Sequence, residues 1–323
     1  MAESSPISTP EPTPPTQLVP ANSATRALNV LGDRWILMIL YLAFQRVRRF
    51  DEFQARIGLA RSLLIDRLRR LQTAGILHKV LYQERPKREE YHLTEMGLDL
   101  YSLALMIIRW EKRWFYDPAN PAHRLKHKCG KDFTPEFRCG HCGELVSPGD
   151  VYVEDGPGAG FEPSQPPRAQ RRSTVPAGAL NQGGPMLDRA FQVLGDRWTS
   201  HVIASAFLGL RRFNEFQERL GVAPNILSDR LTRLVEIGVL RRELYQQRPE
   251  RWEYRLTDTG RDLYPLIAEL IRWGDRWLAD GKGPPLITYH RTCGHRLDAK
   301  ITCDQCGEIA DVFNVTPAEP GAD

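Results

Sequence analysis

Six cysteines carry the clearest chemical pattern in this sequence. They form two sets with the same spacing, C-x9-C-x2-C: Cys129, Cys139 and Cys142, then Cys293, Cys303 and Cys306. A histidine stands just before each set, at His127 and His290. Thiolates at a C-x2-C turn are typical ligands of tetrahedral Zn²⁺, which needs a fourth donor. The spacing predicts one structural zinc ion in each cysteine-rich segment, held by its three cysteines and its histidine.

Other roles for these thiols remain open at this level. They could be reduced structural thiols, a metal site that has decayed, or disulfides, although disulfides are disfavoured in the cytosol. A catalytic zinc would need an open coordination position and a nearby general base. Glu144 and Glu308 follow the two C-x2-C turns, but no substrate pocket can be inferred. The chain also has no P-loop, dinucleotide fingerprint or nucleophile motif, so an enzyme is not expected.

The cysteine sets end two copies of one module. The run VLGDRW begins at Val30 and again at Val193, and the offset of 193 − 30 = 163 holds without a gap to Trp114 and Trp277. A period of this length indicates tandem domains, each long enough to bury its own core. His141 and His295 have no histidine counterpart in the other copy.

Within the first copy, the residue pattern predicts four helices before any strand. Short helices are expected over 24–31 and 50–57, and Asp33 can cap the helix between them. Gly58 then breaks the chain, and leucines recur every three or four residues over 64–71 before Gly75. A helix, a glycine turn and a second helix form the helix-turn-helix signature.

Two short strands and a long helix complete the predicted copy. Runs over 76–81 and 90–93 enclose a charged turn, which predicts a small basic β-wing. Thr94 can cap a final helix over 95–115. The expected fold is mainly α with small β-wings (α+β): two tandem winged helix-turn-helix domains, each with a zinc-ribbon-like extension.

The copies and the sequence between them predict seven segments. Pro/Ser/Thr-rich and Gly/Pro-rich stretches indicate a disordered tail and a flexible linker. In order, the segments are a tail (1–22), winged helix 1 (23–117), Cys-rich extension 1 (118–146), a linker (147–185), winged helix 2 (186–280), Cys-rich extension 2 (281–314) and a tail (315–323). The longest apolar run has ten residues, against about 20 for a membrane span, and no export signal is apparent, so a cytoplasmic location is expected.

Net charge gives only weak support for a nucleic-acid partner. The formal charge is +4 and the pI about 8.7, so the local placement of basic residues matters more. With the leucines of the second helix facing the core, its opposite face is polar and basic and suits a major groove. The wing arginines and lysines would contact phosphates or the minor groove.

The predicted DNA-binding residues follow from this placement. In copy one they are Arg61, Ser62, Asp66, Arg67, Arg69 and Arg70 on the helix and Arg85, Lys87 and Arg88 on the wing. In copy two they are Asn225, Ser228, Asp229, Arg230, Thr232 and Arg233 on the helix and Arg248 and Arg251 on the wing. Arg67 and Arg230 lie at the core border and could be ion-paired instead. Because several helix positions differ between copies, a pseudo-palindromic or asymmetric operator is expected.

The two copies resemble the HxlR-type winged helix-turn-helix transcriptional regulators. The pattern GDRW, RFDEF, L-x-x-R-L-x-x-L, G-I-L, Y-x-L-T-x-x-G and R-W carries the resemblance across most of the chain. Its positions in copy one are Gly32, Trp35, Arg49, Phe50, Phe53, Arg67, Leu68, Gly75, Tyr91, Leu93, Thr94, Gly97 and Trp110. The resemblance implies promoter binding by a homodimer joined through N- and C-terminal helices. Here the fused copies could pair within one chain as a pseudo-dimer, with further homodimerisation possible.

The resulting functional prediction is a regulator of transcription that binds double-stranded DNA, most simply a repressor. A small-molecule inducer, if one exists, would fit a cleft between the second helix and the long last helix. Some proteins of the family resemble thiol-based sensors with a cysteine near the first helices, but neither copy has one there. The alternatives are a protein-interaction scaffold and a metal-dependent enzyme or metal-responsive regulator.

Overall fold

The computed structural model describes residues 18–117, 124–163, 187–279 and 281–317. Most of the predicted N-terminal tail, the predicted linker after residue 163 and the end of the C-terminal tail lie outside these ranges. In the described ranges, none of the helices combines the length and the apolar character that crossing a membrane requires.

The first repeat has the predicted order of helices, wing and C-terminal helix. After a short strand, its winged-helix elements are β1 (Leu18–Pro20), α1 (Ser23–Leu31), α2 (Arg34–Phe44), α3 (Phe50–Ile57), α4 (Arg61–Thr73), β2 (Leu77–Gln83), β3 (Arg88–Leu93), α5 (Glu95–Leu98) and α6 (Tyr101–Phe115). The cysteine-rich strands follow: β4 (Leu125–His127), β5 (Asp132–Phe133), β6 (Pro135–Cys139), β7 (Val151–Asp155) and β8 (Phe161–Pro163).

The second repeat has the same order. Its elements are α7 (Asp188–Leu194), α8 (Arg197–Phe207), α9 (Phe213–Leu220), α10 (Pro224–Glu236), β9 (Leu240–Gln247), β10 (Glu250–Leu256), α11 (Asp258–Arg261), α12 (Tyr264–Trp277), β11 (Leu286–His290), β12 (Ala299–Cys303) and β13 (Val315–Pro317). In both repeats the wing is an antiparallel pair, β2 with β3 and β9 with β10.

Local sequence explains most of these boundaries. The Asp33 carboxylate accepts hydrogen bonds from the N–H groups of Trp35 and Ile36, so it caps α2 as predicted. Gly58 ends α3 in the left-handed region, with φ of 68°. The single long helix predicted over 95–115 is wrong, because it divides into α5 and α6. The break occurs where the backbone N–H of Leu100 bonds to the Gly97 carbonyl, an i→i+3 contact that interrupts the α-helical series.

The two repeats share a single hydrophobic core rather than folding around separate ones. One connected cluster of buried apolar side chains extends through both winged helices. The strongest helix contacts between repeats are α1 with α12 and α6 with α12, followed equally by α6 with α7 and α1 with α8. The first and last helices of the repeats therefore pair within one chain, as the sequence predicted for a pseudo-dimer.

Two tryptophans mark the approximate two-fold symmetry of this interface. The indole of Trp110 donates to the Thr259 carbonyl at 2.8 Å, and that of Trp273 donates to the Met96 carbonyl at 3.0 Å. Both tryptophans are fully buried. Thr259 and Met96 belong to equivalent helices, α11 and α5, so each repeat receives the same anchor from the other.

The cysteine-rich strands pair between repeats, which differs from the predicted separate extensions. Strand β6 pairs with β12 around the central partners Phe137 and Ile301, while β7 pairs with β11 and β13 with β4. The start of the predicted flexible linker is thus the ordered strand β7, and β8 pairs with β1. Antiparallel strands satisfy each other's backbone N–H and C=O groups. The partner strands here belong to the other repeat, so the composition of one segment could not predict the pairing.

The crossing of α1 and α12 depends on a glycine. An alanine Cβ at Gly274 would lie 2.3 Å from the Ser23 carbonyl oxygen. We expect Gly274→Ala to lower the free energy of unfolding by about 1–3 kcal/mol, although alanine is intrinsically the better helix former. Urea denaturation measures this change. Gly149→Ala is the control, since open space surrounds its Cβ position, and equal stability of the two variants would contradict the close packing.

Candidate DNA-binding surface and metal centres

Helices α4 and α10 present the polar faces that the sequence predicted. Leu64, Leu68 and Leu71 are buried, as are their counterparts in α10. The exposed side chains of α4 include Arg61, Ser62, Asp66 and Arg69, and those of α10 include Asn225, Ser228, Asp229, Thr232 and Arg233. The leucine spacing thus orients both helices with a solvent-facing surface of donors and acceptors.

Three predicted DNA-binding arginines are paired with aspartates of their own repeat. Arg67 and Arg70 contact the Asp33 carboxylate at 3.0 and 3.2 Å, and Asp33 is only 2% exposed. In the second repeat, Arg230 pairs with Asp196 and with Asp229. These guanidinium groups lie at the base of the helix, where burial makes pairing with a carboxylate necessary. The ion-paired alternative for Arg67 and Arg230 matches this geometry.

The same aspartates lie beside the axis between the repeats. Asp33 and Asp196 face each other in an antiparallel β-bridge, and the N–H of Arg34 donates to the Gly195 carbonyl at 3.2 Å. Each aspartate caps a helix and also pairs with an arginine of α4 or α10. The orientation of α4 and α10 is therefore tied to the contact between the two repeats.

The wings carry exposed basic residues at their tips. Arg85, Lys87 and Arg88 are exposed in the first wing, and Arg248 and Arg251 in the second. The ammonium groups of Lys79 and Lys87 hydrogen-bond to Glu89 and lower the pKa of its carboxyl group. This wing therefore combines partly neutralised charges with arginines that extend into solvent.

An aromatic contact at the base of each wing was missed at the sequence level. The Arg49 guanidinium lies 4.8 Å from the centre of the Tyr82 ring, and Arg212 lies 4.7 Å from that of Tyr245. Both pairs obey the 163-residue offset, so the repetition of an arginine and a tyrosine at these positions could have indicated the contact from the sequence. Such cation–π contacts restrain the arginines, and the Arg49 guanidinium also pairs with the Glu90 carboxylate at 3.1 Å.

The cysteines and histidines form two four-residue clusters, and each cluster takes residues from both repeats. Centre 1 consists of His127, Cys129, Cys303 and Cys306, and centre 2 consists of Cys139, Cys142, His290 and Cys293. The predicted partition, with one set of three cysteines per ion, is wrong. The pairing of β6 with β12 carries each C-x2-C turn to the histidine and single cysteine of the other repeat.

The donor distances suit a tetrahedral ion. In centre 2, the His290 Nδ1 atom lies 3.4 Å from both Cys142 Sγ and Cys293 Sγ, and the Sγ atoms of Cys139 and Cys293 are 3.9 Å apart. In centre 1, His127 Nδ1 lies 3.4 Å from Cys306 Sγ. Tetrahedral Zn²⁺ with ordinary bond lengths requires S···S separations of about 3.8 Å and S···N separations of about 3.5 Å.

The surroundings of the donors are also suited to metal binding. His127 and His290 are buried, and both turn Nδ1 toward the thiols, while their Nε2 atoms have no hydrogen-bond partner in the described part of the chain. The backbone N–H of Lys131 and the His127 ring lower the pKa of the Cys129 thiol to about 7, whereas burial raises the pKa of the Cys303 thiol in the same centre to about 11. Metal ligands are thiolates, so Cys129 is suited to this role at neutral pH, and Cys303 would need the charge of a bound cation to lose its proton.

A cleft of about 1180 Å³ lies between the repeats near the end of α6. It is lined by Trp114, by Phe207 at the end of α8 and by Pro265 at the start of α12, so it partly coincides with the predicted inducer cleft. Arginines and aspartates occur together in the lining, including Arg113 and Asp262.

Each repeat forms a helix-turn-helix unit with a basic wing, here called a head, and the two heads are joined through α1, α6, α7 and α12. This arrangement defines a winged-helix protein of the DNA-binding class. The HxlR-like helix-turn-helix family model matches residues 30–118 and 193–282, more than half of the chain. The chain belongs to this family of transcriptional regulators, which implies DNA binding.

Individual relatives agree with this assignment. The chain is 45% identical over 138 residues to an uncharacterised HTH-type transcriptional regulator of Mycobacterium tuberculosis, covering 43% of this chain and 87% of that protein. It is 33% identical over 95 residues to the uncharacterised regulator YvaP of Bacillus subtilis, covering 29% and 88%.

Solved structures of single-repeat length are similar to part of the chain. PA1607, described as a proposed transcription factor, is 29% identical and matches 47% of this chain and 97% of its own, with a TM-score of 0.36. The oxidised redox regulator HypR is 31% identical and matches 28% and 94%, with a TM-score of 0.27.

Proposed function

We propose that this chain is a sequence-specific regulator that binds one operator in duplex DNA with its two non-identical heads. The observation that carries the proposal is the exposed polar and basic face of α4 and of α10, each beside a wing with exposed arginines. Arginine, asparagine and serine can hydrogen-bond to base edges in the major groove, whereas wing arginines suit phosphates.

The two heads differ where bases would be contacted. Ser62 of α4 corresponds to Asn225 of α10, and Arg69 corresponds to Thr232. Arg70 is held by Asp33, whereas its counterpart Arg233 is exposed. We therefore propose a pseudo-palindromic or asymmetric operator. Selection from randomised duplexes tests this, and recovery of a perfect palindrome would contradict it.

We further propose that centres 1 and 2 each hold one structural Zn²⁺. Three thiolates and an imidazole are a common donor set for closed zinc sites, and the four ligands leave no position for substrate. The ions would join the two repeats and stabilise the clasp formed by β4, β6, β7 and their partners. Without a metal ion, the three thiols of each centre would lie close together with no cation to stabilise their thiolate forms.

The effect of the proposed base contacts can be measured with two single substitutions. We expect Arg69→Ala and Arg233→Ala each to weaken operator binding by about 1–3 kcal/mol, or roughly 5- to 150-fold, while binding to random DNA changes less. Fluorescence anisotropy across a salt series separates these quantities. Lys300→Ala is the matched control, because this lysine lies in the cysteine-rich clasp and pairs with Asp298.

The outcomes distinguish a regulator from a protein-interaction scaffold. A regulator requires tight binding, resistant to competitor, that weakens steeply with salt. Binding without salt dependence, with no effect of Arg69→Ala or Arg233→Ala, would support the scaffold. If binding is confirmed, lower transcription from an operator-bearing promoter in the presence of the protein would establish repression.

A further inference from the structure

Two exposed histidines are stacked at the mouth of centre 2. The ring centres of His141 and His295 are 3.4 Å apart and their planes differ by 18°. His141 lies inside the C-x2-C turn of the first repeat, and His295 follows Cys293 in the second. The stack therefore exists only because the strands of the two repeats pair.

These histidines form a third donor group that overlaps centre 2. One nitrogen of each ring and the Sγ atom of Cys293 lie within 4.8 Å of one another. His295 Nδ1 is 2.8 Å from the Cys293 carbonyl oxygen, which accepts a hydrogen bond from it. In the neutral ring, that bond leaves Nε2 of His295 as the nitrogen with a lone pair, which is the atom that could bind a metal ion.

Centre 1 has no such group at the equivalent positions. The cysteines of the two repeats align with an offset of 303 − 139 = 164, which places Gln305 opposite His141 and Lys131 opposite His295. An amide and an ammonium group replace the two imidazoles there. The two centres thus share their four ligands but differ in what stands at the entrance.

We infer that His141, His295 and Cys293 form a surface position for a divalent zinc-like cation, through which the ion enters and leaves centre 2. The two exposed rings must turn out of their stack to bind it, because rings stacked 3.4 Å apart cannot both direct an in-plane nitrogen at one ion. This inference rests on the proposed zinc centres. Cys293 belongs to both groups, so an ion can exchange buried ligands for imidazoles one at a time. Zinc can expand briefly to five ligands, so the ion remains coordinated throughout each exchange. Centre 1 must instead open without help.

Chelator competition tests the inference on the full-length protein. Protein loaded with two equivalents of Zn²⁺ is mixed with excess chromogenic chelator under native conditions, and release is followed by absorbance. We expect two phases of one zinc each. In the double variant His141→Gln, His295→Lys, which copies the entrance of centre 1, the fast phase should slow by about tenfold or more with its amplitude unchanged.

Two further variants identify the phases. The double variant Cys139→Ser, Cys293→Ser removes centre 2 and should abolish the fast phase alone. The reverse exchange, Lys131→His with Gln305→His, should accelerate the slow phase. A single phase in the natural protein, or an unchanged fast phase in His141→Gln, His295→Lys, overturns the inference. Fewer than two zinc ions at the start would instead refute the proposed zinc centres.

Discussion

Replacing Cys139 and Cys293 together by serine is expected to leave one tightly bound zinc ion per chain, whereas replacing Cys129 and Cys139 together is expected to leave none. The first pair lies within centre 2, although its members belong to different repeats. The second pair lies within one repeat but removes a ligand from each centre. Structural zinc sites depend on all four ligands, and the metal contributes folding free energy directly.

This comparison contains its own control, because both variants lose two thiols and share Cys139→Ser. Native mass spectrometry or elemental analysis after dialysis against a weak chelator measures the stoichiometry. If each ion were bound within one repeat, the result would be reversed: Cys129→Ser, Cys139→Ser would keep one ion, and Cys139→Ser, Cys293→Ser would keep none. That reversed outcome would contradict the pairing of β6 with β12.

The second large effect is expected at Asp33. Asp33→Ala should lower the free energy of unfolding by about 3–5 kcal/mol, because it removes the buried carboxylate that pairs with the half-buried guanidinium groups of Arg67 and Arg70. The α2 cap is lost as well, at a cost of about 1 kcal/mol. Chemical denaturation followed by circular dichroism measures the change. The free energy of unfolding of Asp33→Asn should lie between those of the natural protein and Asp33→Ala, since asparagine can cap α2 but carries no charge.

Asp66 offers a matched comparison, because it binds the same Arg67 from the solvent side. Its side chain is 51% exposed, against 2% for Asp33. Exposed ion pairs contribute little, so Asp66→Ala should cost about 0–1 kcal/mol. Equal losses in Asp33→Ala and Asp66→Ala would show that burial is not what makes the Asp33 pairs important.

The position of Asp33 gives these ion pairs a second consequence. Because Asp33 and Asp196 face each other between the repeats, a shift of one repeat against the other would also shift α4 and α10. The clasp and its two centres, which follow the last helix of each repeat, also restrain the position of one repeat relative to the other. Operator spacing in the proposed function is therefore set by contacts between the repeats, not by the length of chain between them.

Local sequence was sufficient for the elements and their chemical character. The leucines of α4, the Asp33 cap and the Gly58 break are near neighbours in sequence, and their periodicity and backbone preferences predict helix, turn and wing in both copies. The family assignment followed from the same spacings. The sequence did not predict the division of α5 from α6, since it depends on one i→i+3 backbone contact that no residue type in this segment indicates.

Which residues meet across the molecule was decided only by the tertiary structure. The sequence identified the eight residues of centres 1 and 2 and the duplicated module, but equal spacing in both copies made either partition of these ligands possible. Strand pairing selected the crossed one, because β6 and β12 are equivalent edges that satisfy each other across the axis between the repeats. Likewise, the pairing of Arg67 with the buried Asp33 and of Arg230 with the partly buried Asp196 depends on how the helices pack, which residue spacing cannot specify.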